Sequence, residues 1–169
     1  MMKWVGISGS WRYSAPGLEK DVRREVAKVI KLGDGIVTGG AHGVDYIATE
    51  TVIQLNKSLN HLRIFLPTDL PTYLAHYHEQ ARKGLITASD VSKLDKQLIY
   101  VQDTRPKALI EGRTGLTVNE STYLARNKKI AASAEALIAF QVNNSVGTQQ
   151  TIDHARKLGK TVTHFTYVV

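Results

Sequence analysis

Three short segments rich in glycine and small polar residues carry most of the chemistry available to this sequence. They are Gly9-Ser10, Gly39-Gly40-Ala41-His42-Gly43 and Asn143-Asn144-Ser145-Val146-Gly147-Thr148. Each follows a short apolar run and precedes a helical pattern. Glycine at such a turn lets the backbone approach a ligand, and the free N–H groups opening the next helix favour an anion. One turn of this kind is commonly only a turn. Three of them predict a site for a phosphate-bearing ligand. Asp45, in the first turn of the helix after Gly43, either accepts hydrogen bonds from a ribose or base or complements the positive helix end. His42 is a ligand contact or polar surface. Asn127 sets an amide on the stripe of Tyr123, Ile130 and Ala131, so it needs a partner in a neighbouring loop or a ligand. His76 and His78, two apart, point in different directions on a helix and are discounted as metal ligands. With no cysteine in the chain, thiol nucleophiles, disulfides and Cys-bound metal are excluded.

The elements that must position these residues alternate. Lys3–Ser8 reads as a strand, followed by a helical stripe at Leu18, Val22, Val26, Val29 and Ile30 and a glycine C-cap at Gly33. Gly35–Thr38 is a second strand, with a helix from Val44 to Leu55, and Leu62–Leu66 is a third strand. A helix is predicted over Tyr73–Lys83. Gln97–Val101 reads as a strand, and the rest of 84–118 reads as loops or an insertion. Asn119 caps a helix running to about Ser133. Ala136–Phe140 is a strand, 148–158 a helix and Thr161–Tyr167 a closing strand. This pattern predicts one α/β domain over residues 1–169, a Rossmann-like three-layer sandwich with a mainly parallel central sheet. In such a sheet the three turns share the carboxyl edge, where ligands bind at a switch point.

Composition narrows the partner. The 169 residues are 43% hydrophobic and 22% charged, which excludes disorder and collagen-like repeats. No apolar run approaches the roughly 20 residues of a membrane span. The N-terminus lacks a signal-peptide core, so a cytoplasmic chain with no membrane partner is expected. The formal charge is +7, and residues 81–130 hold ten basic against five acidic side chains, including Arg126, Lys128 and Lys129. A basic stretch of this kind suits nucleic acid or a nucleotide, or is a solvated face. Exposed aromatics for stacking on bases are not evident, Trp11 and Tyr13 being the best candidates, so sequence-specific readout is not expected.

Taken together, Val5-Gly6-Ile7-Ser8-Gly9-Ser10-Trp11-Arg12 and Ile36-Val37-Thr38-Gly39-Gly40-Ala41-His42-Gly43-Val44-Asp45 resemble the DNA-processing protein A (DprA/Smf) pattern. That pattern has a strand ending in Gly-Ser-Arg and then a Gly-x-Ala-x-Gly-Ile-Asp turn. Ala125-Arg126-Asn127-Lys128-Lys129-Ile130-Ala131 resembles the family's Arg-Asn-Arg-x-Ile-Ala helix, and Ser145-Val146-Gly147-Thr148 its Ser-Gly-Ser/Thr turn. The likeness covers most of the chain except about 68–118. It places the chain in the wider SLOG superfamily of Rossmann-like nucleotide-binding proteins. The resemblance implies binding of a nucleotide or single-stranded DNA, and a homodimer or higher homo-oligomer by analogy. It also implies a pocket of Gly9, Ser10, Arg12, Gly39, Gly40, His42, Gly43, Asp45, Asn127, Ser145, Gly147 and Thr148, with Arg126, Lys128 and Lys129 on nucleic acid. Position 42 is His where the family usually has Arg, and the chain has no room for an accessory domain. The related LOG phosphoribohydrolases carry Pro-Gly-Gly-x-Gly-Thr-x-x-Glu, whose glutamate acts at the ribosyl centre. Thr151 stands at that glutamate's position, and a hydroxyl cannot supply a carboxylate's charge to an oxocarbenium-like transition state. Neither Asp45 nor Glu120 has the spacing to replace it. A non-catalytic binding protein without cofactor or metal is expected, with a small-nucleotide sensor or an N-glycosidase as the alternatives.

Overall fold

Short apolar strands and longer amphipathic helices alternate along the chain, and a computed structural model describes residues Met1–Val169. The order is β1 (Trp4–Gly9), α1 (Leu18–Lys31), β2 (Gly35–Thr38), α2 (Val44–Leu55), β3 (Leu62–Phe65), α3 (Leu70–Arg82), α4 (Ala88–Thr104), β4 (Leu109–Ile110), α5 (Glu120–Ser133), β5 (Ala136–Val142), α6 (Val146–Lys157) and β6 (Thr161–Tyr167). The six strands form one sheet in the order β4-β3-β2-β1-β5-β6. Every pairing is parallel. The fold is the Rossmann-like α/β sandwich that the sequence pattern predicts.

The two faces of the sheet are unequal. Ile7, Ile36, Ile64 and Phe140 join residues of α1, α2, α3 and α4 in a core of 26 buried side chains. On the other face a smaller cluster joins Ala131, Leu137, Ala139, Ile152 and Ala155, drawn from α5, β5 and α6. Small residues explain the difference. Gly6 of β1 leaves space in which a Cβ would sit 3.0 Å from Leu137 and 3.4 Å from Ile130. Helix α5 therefore lies close against the sheet.

The segment 84–118 differs from the sequence expectation. Gln97–Val101 is not a strand; it belongs to α4, a 17-residue helix. Five residues of mixed β-preference read as a strand in isolation. Over the longer window Val91, Leu94, Leu98 and Val101 recur at helical spacing, and all four are buried. Thr87 caps this helix by accepting the Asp90 N–H at 3.0 Å. The polar Gln97 is tolerated because its amide donates to the Tyr46 carbonyl at 3.0 Å. A 3-10 turn at Pro106–Ala108 then leads into β4, so the stretch supplies a covering helix and an edge strand rather than an irregular insertion. Helix α5 starts where expected. Asn119 accepts the Thr122 N–H at 3.0 Å, and Thr122 accepts the Asn119 N–H at 2.9 Å, a reciprocal cap.

Candidate functional site

The chain leaves β1 toward the larger core face and leaves β5 toward the smaller one, since α1 packs in the former and α6 in the latter. Neighbouring parallel strands whose connections diverge leave a crevice beyond their carboxyl ends. A cleft of about 480 Å³ lies there. Its walls are the segment after β1, the start of α6 and one face of α5.

The first turn is pinned by its backbone. The Ser10 N–H donates to the Phe140 carbonyl at 3.3 Å, and the Ser10 carbonyl accepts the Val44 N–H at 3.2 Å. This brings β1, β5 and the start of α2 together at one point. Gly43 is required there. Its φ of 81° lies in the left-handed region, and a Cβ would meet the Ser10 carbonyl oxygen at 2.5 Å. The third turn is held by Gln141, a buried residue that the motif reading did not single out. Its amide donates to the Ser145 carbonyl and to Gln149 Oε1, each at 3.1 Å.

Below the cleft sits a buried pair of opposite charges. Asp45 and Arg126 are 6% and 7% exposed. Both line the cleft. They converge on Gly39, whose missing side chain leaves space for the Arg126 guanidinium and for Asp45 Oδ2. Arg126 Nη1 donates to the Gly39 carbonyl and Nε donates to Asn127 Oδ1 at 2.9 Å. Its third nitrogen, Nη2, makes no hydrogen bond within the chain. Burial raises the Asp45 carboxyl above its ordinary value, opposed by Arg126 and by the Ala41 N–H, which donates to Oδ2 at 3.2 Å. Burial works against the charge on Arg126, but Tyr73 and Asp45 beside it hold it above its ordinary value. The guanidinium lies 5.2 Å over the Tyr123 ring. Burial also pushes the Tyr77 and Tyr123 hydroxyls up, so both remain protonated donors at neutral pH.

At the other wall α6 opens without a side-chain cap. The first helical bond is the Gln149 N–H to the Ser145 carbonyl at 3.1 Å, so the N–H groups of Val146, Gly147 and Thr148 have no acceptor within the chain. Ser145 Oγ donates to Thr148 Oγ1 at 2.8 Å. Nothing lies within 4 Å of where a Gly147 Cβ would stand. The backbone of α6 is therefore open to the cleft.

The structure brings together Gly9, Ser10, Arg12, Asp45, Arg126, Asn127, Ser145, Gly147 and Thr148. It leaves out four other expected pocket residues. Gly39 lies behind Arg126, and a Cβ on Gly40 would run into Ile64 and Leu66. Gly43 backs onto Ser10. His42 turns the other way. Its N–H donates to the Tyr77 hydroxyl at 3.0 Å, while its half-buried ring lies 3.9 Å from Asp90 of α4. Burial lowers the pKa of that ring, with Asp90 opposing. Arg126 differs from its expected role, since it is buried in the cleft and separated from the exposed Lys128 and Lys129. Of the ten basic residues in 81–130 it alone lines the cleft; the others are spread over α3, α4, the segment between α4 and α5, and the outer face of α5. Thr151 is buried and donates to the Gly147 carbonyl at 3.0 Å, outside the cleft. Glu120 is on the cleft wall. His76 meets the Tyr77 and Tyr123 rings, while His78 pairs with Asp95 at 2.7 Å, so the two histidines do point apart. Tyr77 also lines the cleft, although no motif marks it. Its signal in the sequence is a hydroxyl on the buried stripe Leu70, Tyr73 and Tyr77, the same kind of signal that marks Asn127.

No family model matches this sequence, and no curated protein does. Solved structures share the fold. DNA processing protein A from Helicobacter pylori, described with a single-stranded DNA binding mode, is 22% identical with a TM-score of 0.68. The alignment covers 96% of this chain and 64% of that one. The molybdenum cofactor binding protein from Rippkaea orientalis is 17% identical with a TM-score of 0.61, covering 98% and 77%. DNA processing protein A from Streptococcus pneumoniae is 18% identical with a TM-score of 0.51, covering 96% and 58%. The motif resemblance to DNA processing protein A thus has its counterpart in the fold, and this chain spans about three fifths of the length of both those proteins.

Proposed function

We propose that this chain binds single-stranded DNA, holding the phosphate and sugar of one nucleotide in the cleft between β1 and β5 without catalysing a reaction on it. The observation that carries this reading is the buried Arg126, whose Nη2 has no partner in the chain, opposite the three unpaired N–H groups of α6. A guanidinium and a helix N-terminus facing one another across a cleft form an anion site. Asp45 supplies an acceptor beside it for a sugar hydroxyl or a base N–H. The single-stranded DNA binding described for the Helicobacter pylori protein of the same fold adds support. A second reading, a free mononucleotide as the ligand, is favoured by the cleft volume of about 480 Å³ and by the depth of Arg126.

Fluorescence anisotropy with a labelled oligothymidylate tests both. Two or three phosphate contacts should weaken binding about tenfold between 50 and 200 mM salt. No binding at 50 mM salt would overturn the DNA reading. Stabilisation by a mononucleotide under the same conditions would then establish the second.

A further inference from the structure

The four residues after the first turn make no backbone hydrogen bonds within the chain, although the first three of them form one wall of the cleft. Between Gly9 and α1, the N–H groups of Trp11, Arg12, Tyr13 and Ser14 donate to no backbone carbonyl, and their carbonyls accept no backbone N–H. Arg12 is exposed and belongs to no salt bridge or hydrogen bond. Its guanidinium stands 6.0 Å from the Trp11 ring and 6.0 Å from the Tyr13 ring. Trp11 is half-buried and Tyr13 is 49% exposed. The three side chains all face the cleft. Two aromatic faces flanking a free cation are the elements of a stacking platform, in which rings take bases and the cation takes the intervening phosphate. Apart from that cleft-facing role, this aromatic pair contributes nothing to the core.

We infer that Trp11, Arg12 and Tyr13 form a second subsite, which stacks the base of the nucleotide next to the one held over Arg126 and α6. The inference rests on the nucleotide reading above and deepens it. The ligand it selects is a strand of at least two nucleotides with unpaired bases. A mononucleotide has no neighbour to stack, and a duplex buries its base faces.

The test uses intrinsic fluorescence. The chain has two tryptophans, and Trp4→Phe leaves Trp11 as the sole emitter. Trp4 lies at the start of β1, with Arg63 3.7 Å over its ring, remote from the cleft. A dinucleotide or longer oligothymidylate should quench Trp11 by half or more and should bind at least tenfold more tightly than thymidine monophosphate. Trp11→Ala and Tyr13→Ala should each reduce oligonucleotide affinity at least fivefold more than mononucleotide affinity, and Trp11→Phe should restore most of the loss. Circular dichroism confirms that each variant is folded. Equal losses for both ligands, or no quenching by an oligonucleotide that binds, would overturn the stacking subsite while leaving the nucleotide reading intact. If neither ligand binds the wild-type protein, both fail.

Discussion

Asp45 and Arg126 show how one residue's environment decides its role. The sequence places Asp45 in the first turn of a helix, where a carboxylate is usually solvated and favourable. The structure buries it, and burial raises its carboxyl above the ordinary 3.8. A raised carboxyl holds its proton more tightly in the folded than in the unfolded chain. The stability it contributes is therefore complete below about pH 3.8 and is lost as pH rises through the raised value. Asp45→Asn cannot ionise and should escape that loss. Its urea midpoint, taken relative to wild type, should be higher at pH 7 than at pH 4. A difference that stays constant across this range would show that Asp45 titrates as an exposed carboxylate does. Arg126, flanked by Lys128 and Lys129, reads in sequence as part of a basic surface run. Helical periodicity turns those two lysines to solvent and turns Arg126 onto the Gly39 carbonyl.

The turns between elements separate glycines needed for folding from those that leave backbone open to the cleft. Gly43 adopts a conformation that an L side chain resists, and its absent Cβ admits the Ser10 carbonyl. Gly43→Ala should cost about 2–4 kcal/mol of stability, measured by denaturant unfolding. Gly147 has an ordinary helical place near the start of α6 and open space where its Cβ would be. Gly147→Ala should change stability by less than about 1 kcal/mol. It should nevertheless weaken oligonucleotide binding at least fivefold, because the added methyl stands over the exposed N–H groups. A Gly147→Ala variant that binds as wild type does would remove α6 from the site. The same scale accounts for α4. The run Gln97 to Val101 is locally compatible with a strand. The stripe from Val91 to Val101 becomes decisive only when all four apolar residues are counted against the core they enter.

For the whole molecule, the net charge of +7 is less informative than its placement. Only Arg12 and Arg126 among the basic residues line the cleft, so specific binding should involve few phosphates and a shallow salt dependence. A ligand that binds only the folded state stabilises it by about 2.7 kcal/mol at one hundred times its Kd. For a chain of this length that corresponds to a rise in Tm of about 5–10 °C, readable by thermal shift. An oligonucleotide that leaves Tm unchanged at saturation would bind folded and unfolded chains alike, which is charge attraction without a site. The sequence by itself determined the alternating architecture and the three turns. Those follow from apolar periodicity, glycine and capping residues acting within a dozen positions of one another. It also carried the resemblance to DNA processing protein A. Only the tertiary structure decided which turn residues face the cleft. His42 turned toward α4, Gly40 packed against β3, and Tyr77 and Arg126 entered from helices far along the chain. Local propensity acts between near neighbours, whereas a cleft forms where strands 130 residues apart, β1 and β5, pair in register and send their helices to opposite faces.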